Sequence, residues 1–380
     1  MTSPEATPAS PRDRAGLVGY ALLALALVAL CALRKTSDWD TYWHLRAGQQ
    51  ALADGNTVPV DLLSFSHPGT PWPFKDLLAE IILYGAFAKL GHAGFALLRA
   101  LCATLAALGV FLSQPPPRRA SAPVFVACGL LFCATAYRYA DRPLLFSLGF
   151  SPLYLALLQA AFRAAASELQ TPRSLYRAFL PVLLCQALWL QLHREGMTGL
   201  VLLTGFALYL SGAALVHKLP LLAPLRRLLA TRPTPQIVAA AWLTLALAVA
   251  SGLLHPCGTA LYRTSIAALG QMGAHQALIA EWQPLPLGQL LTTAPLTTLL
   301  CLGSGAGLLV RLWLAPPREA DVFHLGAWLL FVLQTRGSIR WLHFLAEVSA
   351  LLTLLLLLGL AAALRARGQR APRGLRWLVV

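Results

Sequence analysis

The chain has 380 residues, of which 57% are hydrophobic and only 12% charged. Soluble domains carry about a quarter charged residues, so the composition excludes a soluble protein. The formal charge of +15 is scattered over short segments between apolar runs. It is not gathered into a basic surface interleaved with aromatics, which excludes a nucleic-acid partner. The seven cysteines show no CxxC and no metal-ligand spacing, so they read as small apolar fillers and not as a disulfide framework.

In chain order, residues 1–14 are rich in Pro, Ser, Thr and Ala and read as a disordered cytoplasmic tail. The apolar run Ala15–Leu33 is too long for a signal-peptide core and reads as a retained first helix. Ser37–Glu80 then forms the longest polar interruption. It holds Asp38, Asp40, Asp54, Asp61, Asp76 and Glu80, with His44, His67, Trp39, Trp43 and Trp72. Apolar clusters at Val58–Val60 and Leu62–Leu63 give it something to pack, so it reads as an active-site loop and not as disorder. Its far end, Asp76–Lys89, has the length of an interfacial or re-entrant helix. Spans are expected at Ala93–Leu112, Ala122–Ala136, Leu144–Phe162, Phe179–Leu192, Thr198–Val216, Ile237–Leu254, Leu287–Leu314, Val322–Gln334 and Trp341–Leu364, with a Pro-rich basic turn at Gln114–Arg119. The run from Leu287 is long enough to tilt or break. The expected fold is all-α, a polytopic transmembrane bundle of about ten spans over 15–364. The outer first loop occupies 36–80 and a basic cytoplasmic tail 365–380.

Threading the chain with its N-terminus in the cytoplasm collects Arg12, Arg14, Arg118, Arg119, Arg163, Arg173, Arg177, Lys218, Arg226, Arg227, Arg232, Arg311, Arg318 and the C-terminal tail on one side. Basic loops mark the cytoplasmic face, which places both termini there. The same threading sends every carboxylate of the long loop to the outer side. The outer corners carry Arg138, Asp141 and Arg142; His193, Arg194 and Glu195; His255; Glu281 beside Trp282; and Arg336 with Arg340. That polarity points to an outward-facing site roofed by the long loop.

Asp38 and Asp40 flank Trp39 and in an extended segment point one way, while Asp40 and His44 share a helix face. Such a set supplies a general base or a carboxylate–imidazole metal pair; the alternative is a solvated loop with a Trp anchor at the membrane interface. Asp76 and Glu80 face one way on a helix, where the helix dipole alone explains Asp76 better than Glu80. Arg336 and Arg340 are helix-spaced and suited to phosphate, or else snorkel from a span end. Arg142 caps its corner with Asp141 or serves the site, and His193 is an interface residue or a site residue.

The order of these motifs resembles that of bacterial GT-C membrane glycosyltransferases. The stretch DWDTYWHLRAGQQALADGNTVPVDLLSFSHPGTPW is similar to a first outer loop with D-x-D-x-W-W-H-L-x-x-G leading to G-x-x-P-x-x-D-x-F-S. KDLLAEIILY, DRPLLFSL, LWLQLHREG, LLHPCGTALY, IAEWQP and RGSIRWLHFLAE resemble the group's later motifs in the same order. The likeness runs from Ser37 to Glu347. It departs at Lys75-Asp76, where the group has His-Glu, at Tyr42, where it has Trp, and at HREG, where it has L-H-G.

The resemblance implies a polyprenyl-phosphate-linked sugar donor in a bacterial inner membrane, a glycan, lipid or protein acceptor, and an inverting displacement on the outer face. Asp38 or Asp40 would act as base or bind Mg²⁺ or Mn²⁺, with Asp40 and His44 as the candidate metal pair and Glu80 as a further catalytic candidate. Arg142, Arg336 and Arg340 would stabilise the departing phosphate, and His44, His193 and Glu281 complete the substrate-binding set. The alternatives are a transporter or flippase for lipid-linked glycans and a non-catalytic subunit of an envelope-polysaccharide assembly complex.

Overall fold

The computed structural model describes residues 29, 33, 35–36, 38–55, 61, 65–66, 68–70, 76–114, 122–166, 172–227, 232–270, 272–314 and 319–366. Outside them lie the expected tail at 1–14, all of the first span but Ala29 and Leu33, the apolar loop clusters, His67, Trp72, Lys75, Arg118, Arg119, Arg318 and the tail beyond 366.

Among the described residues every regular element is a helix. In chain order they are α1 (Asp40–Asp54), α2 (Leu77–Leu90), α3 (His92–Leu112), α4 (Ala122–Thr135), α5 (Leu144–Ala166), α6 (Pro172–Leu192) and α7 (Gly196–Lys218). There follow α8 (Pro235–Gly252), α9 (Thr259–Gly270), α10 (Met272–Leu278), α11 (Leu290–Thr293), α12 (Pro295–Leu314), α13 (Glu319–Gly337) and α14 (Leu342–Ala366). Among the described residues six segments can, by length and composition, cross a membrane: His92–Leu112, Leu144–Ala165, Arg173–Leu192, Gly196–Lys218, Pro235–Gly252 and Ile339–Gly359. Shorter apolar helices run over Pro123–Arg138 and Pro295–Arg311.

Burial ranks these spans. The Leu144–Ala165 window is 83% buried against 28% for Pro235–Gly252, so α5 is central and α8 peripheral. Central position demands close approach, and Gly109 of α3 lies against the backbone of Pro152 and Leu153 with no room for a Cβ. At the other end of α5, Phe162 meets Phe206 edge-on at 4.4 Å and Phe323 at 5.0 Å, an aromatic junction of α5, α7 and α13.

Three expected spans change shape. The apolar run Leu287–Leu314 breaks at Ala294, which takes φ −144° and ψ 67°. Pro295 follows, and the residue before a proline is driven out of the helical region. The helix expected over Phe179–Leu192 begins instead at Pro172, where the missing N–H costs nothing. The run Val322–Gln334 extends to Gly337, and Ser338 then turns extended at φ −161° and ψ 132°.

The polar loop is held over the bundle by α1 and α2, which pack against each other. Gly48 of α1 sits directly on the carbonyl of Glu80 in α2, so only glycine permits that distance. Gly55 ends α1 with φ +58°, in the left-handed region that glycine tolerates. Further along, Asp61 and Gly69–Thr70 close on each other through Asp61 N→Thr70 O and Gly69 N→Asp61 O, both 2.8 Å.

Candidate functional site

Where α1, α2 and the helix-connecting turns converge, the structure encloses a cavity of about 490 Å³. Its walls are Asp40, Trp43 and His44 from α1; Asp76 and Glu80 at the head of α2; Arg142, Pro143 and Leu144; His193 and Arg194; Ile279, Glu281 and Trp282; and Arg340. Seven residues expected from the sequence therefore meet here: Asp40, His44, Glu80, Arg142, His193, Glu281 and Arg340. Asp38 stands just behind Asp40.

The segment Asp38–Asp40 is not extended. Trp39 is already helical (φ −64°, ψ −29°) and α1 starts at Asp40. Asp38 Oδ1 accepts Asp40 N at 3.0 Å, so this carboxylate serves the N-terminus of the helix. Both aspartates nonetheless reach Arg142, whose Nε lies 3.3 Å from Asp38 Oδ2 and whose Nη1 donates to Asp40 Oδ2 at 3.1 Å. Its Nη2 donates to Glu281 Oε2 at 3.3 Å. The same oxygen receives Arg138 Nη1 at 3.2 Å, and Glu281 Oε1 receives Arg340 Nη1 at 3.2 Å. Burial alone pushes the Glu281 carboxyl up, but Arg340, Arg138 and Arg142 together hold it below its ordinary value.

On the opposite wall the charges are set by histidines. His44 Nδ1 and Glu80 Oε1 are 2.9 Å apart, both nearly inaccessible. Burial pushes the His44 imidazole down to about 4. Burial, with the nearby Asp76 charge, pushes the Glu80 carboxyl up to about 9. Both displacements favour the neutral forms, a protonated carboxyl against an uncharged imidazole. Glu80, a catalytic candidate from the sequence, lines the cavity and contacts His44.

Asp76 stands at the N-terminus of α2 but makes no capping bond. Its Oδ1 accepts Arg194 N at 2.9 Å and lies 4.0 Å from His193 Nε2. Burial opposes ionisation, yet His193 and Arg194 hold this carboxyl below its ordinary value. His193 Nδ1 meets Ser147 Oγ at 2.7 Å, and that hydroxyl is fixed by Trp189 Nε1 at 2.9 Å. Buried Glu195 gathers Arg340 Nε at 3.4 Å, His343 Nε2 at 3.4 Å and His193 Nδ1 at 3.5 Å. It stays well below its ordinary value against the cost of burial, through His193 and His343.

Arg194 differs from the other cavity arginines. Among the described residues its guanidinium has no carboxylate within ion-pair distance; it stacks on Trp282 at 5.8 Å, with Arg340 on the same ring system at 5.1 Å. Burial, and then the charge of Arg340, lowers its pKa. Arg194, Asp76 and Trp282 were not among the expected site residues. The sequence carries signals for all three: Arg194 and Trp282 stand at the outer corners, Asp76 shares a helix face with Glu80, and HREG replaces L-H-G, a departure that supplies both Arg194 and Glu195.

Arg336 does not join the cavity. It is exposed, and the helix that should have aligned it with Arg340 ends at Gly337. The extended Ser338 breaks the phase, and Ser338 Oγ instead donates to the Glu281 carbonyl at 3.1 Å.

The sequence matches no protein-family model and no curated protein. The fold is similar to that of solved membrane proteins. One is the archaeal oligosaccharyltransferase AglB from Archaeoglobus fulgidus in complex with an inhibitory peptide and a dolichol-phosphate, with TM-score 0.58 and 14% identity over 95% of this chain and 52% of that one. A second is the Archaeoglobus fulgidus oligosaccharyltransferase in complex with Zn and sulfate, with TM-score 0.55 and 13% identity over 93% of this chain and 50% of that one. A third is ArnT from Cupriavidus metallidurans bound to undecaprenyl phosphate, with TM-score 0.54 and 13% identity over 92% of this chain and 63% of that one. The chain thus spans about half the length of the oligosaccharyltransferases and under two thirds of ArnT.

These likenesses show the fold, GT-C-like and all-helical among the described residues, as the sequence resemblance implied. In this chain the cavity carries arginine-bound carboxylates and the Arg194–Trp282 stack.

The donor set argues against a divalent cation. Asp38, Asp40 and Glu281 offer six carboxylate oxygens, and five have a donor within 3.3 Å, four of them from arginine. Among the described residues no group of three or more His, Cys, Asp or Glu could hold a metal ion.

Proposed function

We propose that the chain is a membrane glycosyltransferase that moves a sugar from a polyprenyl-phosphate donor to an acceptor hydroxyl. The observation that carries the reading is that an accessible acid, Asp40, and two guanidiniums, Arg194 and Arg340, line one cavity in a GT-C-type fold. The dolichol-phosphate and undecaprenyl phosphate in the similar structures support a lipid phosphate as the donor's leaving group.

Asp40 is half exposed and takes the proton of the acceptor hydroxyl. The freed oxygen attacks the anomeric carbon from the side opposite the phosphate, and the bond from that carbon to the phosphate oxygen breaks with inversion. Asp38, turned inward to the helix end and Arg142, positions Asp40. Arg194 and Arg340 receive the charge that develops on the departing phosphate. Asp76, held ionised beside His193, is the second acid facing the acceptor. The setting is a bacterial inner membrane with the cavity facing outward.

The test is donor turnover. Purified protein in lipid is offered radiolabelled polyprenyl-phosphate sugars with crude envelope acceptors, beside Asp40→Asn. Transfer by the wild type that is lost in a folded, donor-binding Asp40→Asn supports the reading. Donor bound but never transferred moves the reading to a carrier or assembly subunit.

A further inference from the structure

The fold class includes a zinc-containing structure, yet the acidic cluster of this chain is already neutralised from within. We propose that Arg142 stands where a divalent cation would otherwise sit, so that the cavity works with an internal cation and binds no metal. The inference concerns the cavity used in the proposed transfer and rests on that reading only for its catalytic meaning. Its ion-binding readout does not depend on it.

Arg142 is one side chain reached by three carboxylates, at 3.1 Å for Asp40 and 3.3 Å for Asp38 and Glu281. Asp38 and Asp40 are near neighbours, but Asp40 lies 102 residues before Arg142 and Glu281 139 residues after it, so no local turn explains how both ends of the chain converge on Arg142. A planar guanidinium carries a fixed set of N–H donors and stays charged at any working pH. Here each of Nε, Nη1 and Nη2 addresses a different carboxylate. A divalent ion such as Mg²⁺ asks the same of a site, namely several oxygens drawn to one point.

Charge balance gives the second argument. Arg142, Arg138 and Arg340 set three positive charges against Asp38, Asp40 and Glu281. A divalent ion added to that balanced set brings two positive charges without counter-charge and must displace arginine nitrogens already in contact. Removing Arg142 reverses the situation. Among the described residues the two aspartates lose their ion-pair partner, and Glu281 keeps Arg138 and Arg340, leaving net negative charge around an arginine-sized gap.

The experiment is a Mn²⁺ titration followed by electron paramagnetic resonance, with the full chain in lipid nanodiscs and protein-free nanodiscs as background. The wild type should take up no Mn²⁺ above background. Arg142→Ala should gain one Mn²⁺ per chain, bound about tenfold or more tighter than any background site, as expected of an exposed carboxylate trio. Adding Asp38→Asn to that variant should abolish the uptake. One Mn²⁺ bound by the wild type and lost in Asp40→Asn overturns the proposal. So does a folded Arg142→Ala protein that binds none. If Arg142→Ala does not fold, the wild-type titration and its Asp40→Asn control still decide the matter. Should no glycosyl transfer ever be found, this ion-binding pattern stands or falls separately.

Discussion

The two walls of the cavity hold carboxylates by different means. On one wall Asp38, Asp40 and Glu281 are bound to Arg138, Arg142 and Arg340, whose charges do not change with pH. On the other, Asp76, Glu80 and Glu195 lie against His44, His193 and His343. The first wall is an electrostatic scaffold and the second can gain or lose protons. A transfer reaction needs both properties, and the difference indicates which substitutions remove chemistry and which only shift its pH range.

The largest effect is expected on the arginine wall, at its most accessible acid. Asp40→Asn should lower turnover by about 10²–10⁴-fold, the usual contribution of a general base, with an unchanged melting temperature. Turnover within tenfold of the wild type would move the base to Asp76. Arg340→Gln removes a cation shared by the two walls, through Glu281 and Glu195. Its turnover should fall by about 10²-fold, as when one preorganised donor to a developing anion is lost. Loss confined to donor affinity would make it a binding residue only. Arg194→Gln should weaken binding of a polyprenyl monophosphate by about 10–100-fold, the scale of one charged hydrogen-bond set, and leave the binding of free sugar unchanged.

The smallest effect belongs to the histidine wall. Glu80→Gln keeps a neutral donor toward His44 and should retain activity within about threefold at pH 7, since only an unionised group is being mimicked. The sign of the pH effect follows from the upward displacement. The stabilisation that Glu80 gives is complete below its ordinary 4.5 and is lost as pH rises through about 9. For His44, displaced downward, the contribution is complete above 6.5 and is lost as pH falls through about 4. Between pH 7 and 9.5 the melting temperature of Glu80→Gln should therefore decline less than that of the wild type. An equal decline would show that Glu80 is already ionised, and the two walls would no longer differ as described.

Much of this was legible in the sequence because hydrophobic runs and corner charges are local properties. The helices His92–Leu112 and Gly196–Lys218 follow their apolar runs closely, and α1 begins at Asp40, so that Asp40 and His44 share a face as their spacing required. Phase errors were not legible. Arg336 and Arg340 look helix-spaced until Gly337 and Ser338 interrupt the helix. Long-range pairing was equally hidden. Asp76 looks like a helix-start acid, and only the fold reveals that its partner is the backbone of Arg194, 118 residues away. The upward displacement of Glu80 was also out of reach, because its first cause is burial in the fold and the neighbouring Asp76 charge only the second.

The reach of Arg142 also bears on biogenesis. It joins Asp40, 102 residues before it, to Glu281, 139 residues after it. A chain made from its N-terminus therefore presents Asp38 and Asp40 long before their counter-charge exists, and gains the last carboxylate only after α10 has been synthesised. The cavity is completed late, so a stalled or truncated chain would hold its membrane helices without a finished site.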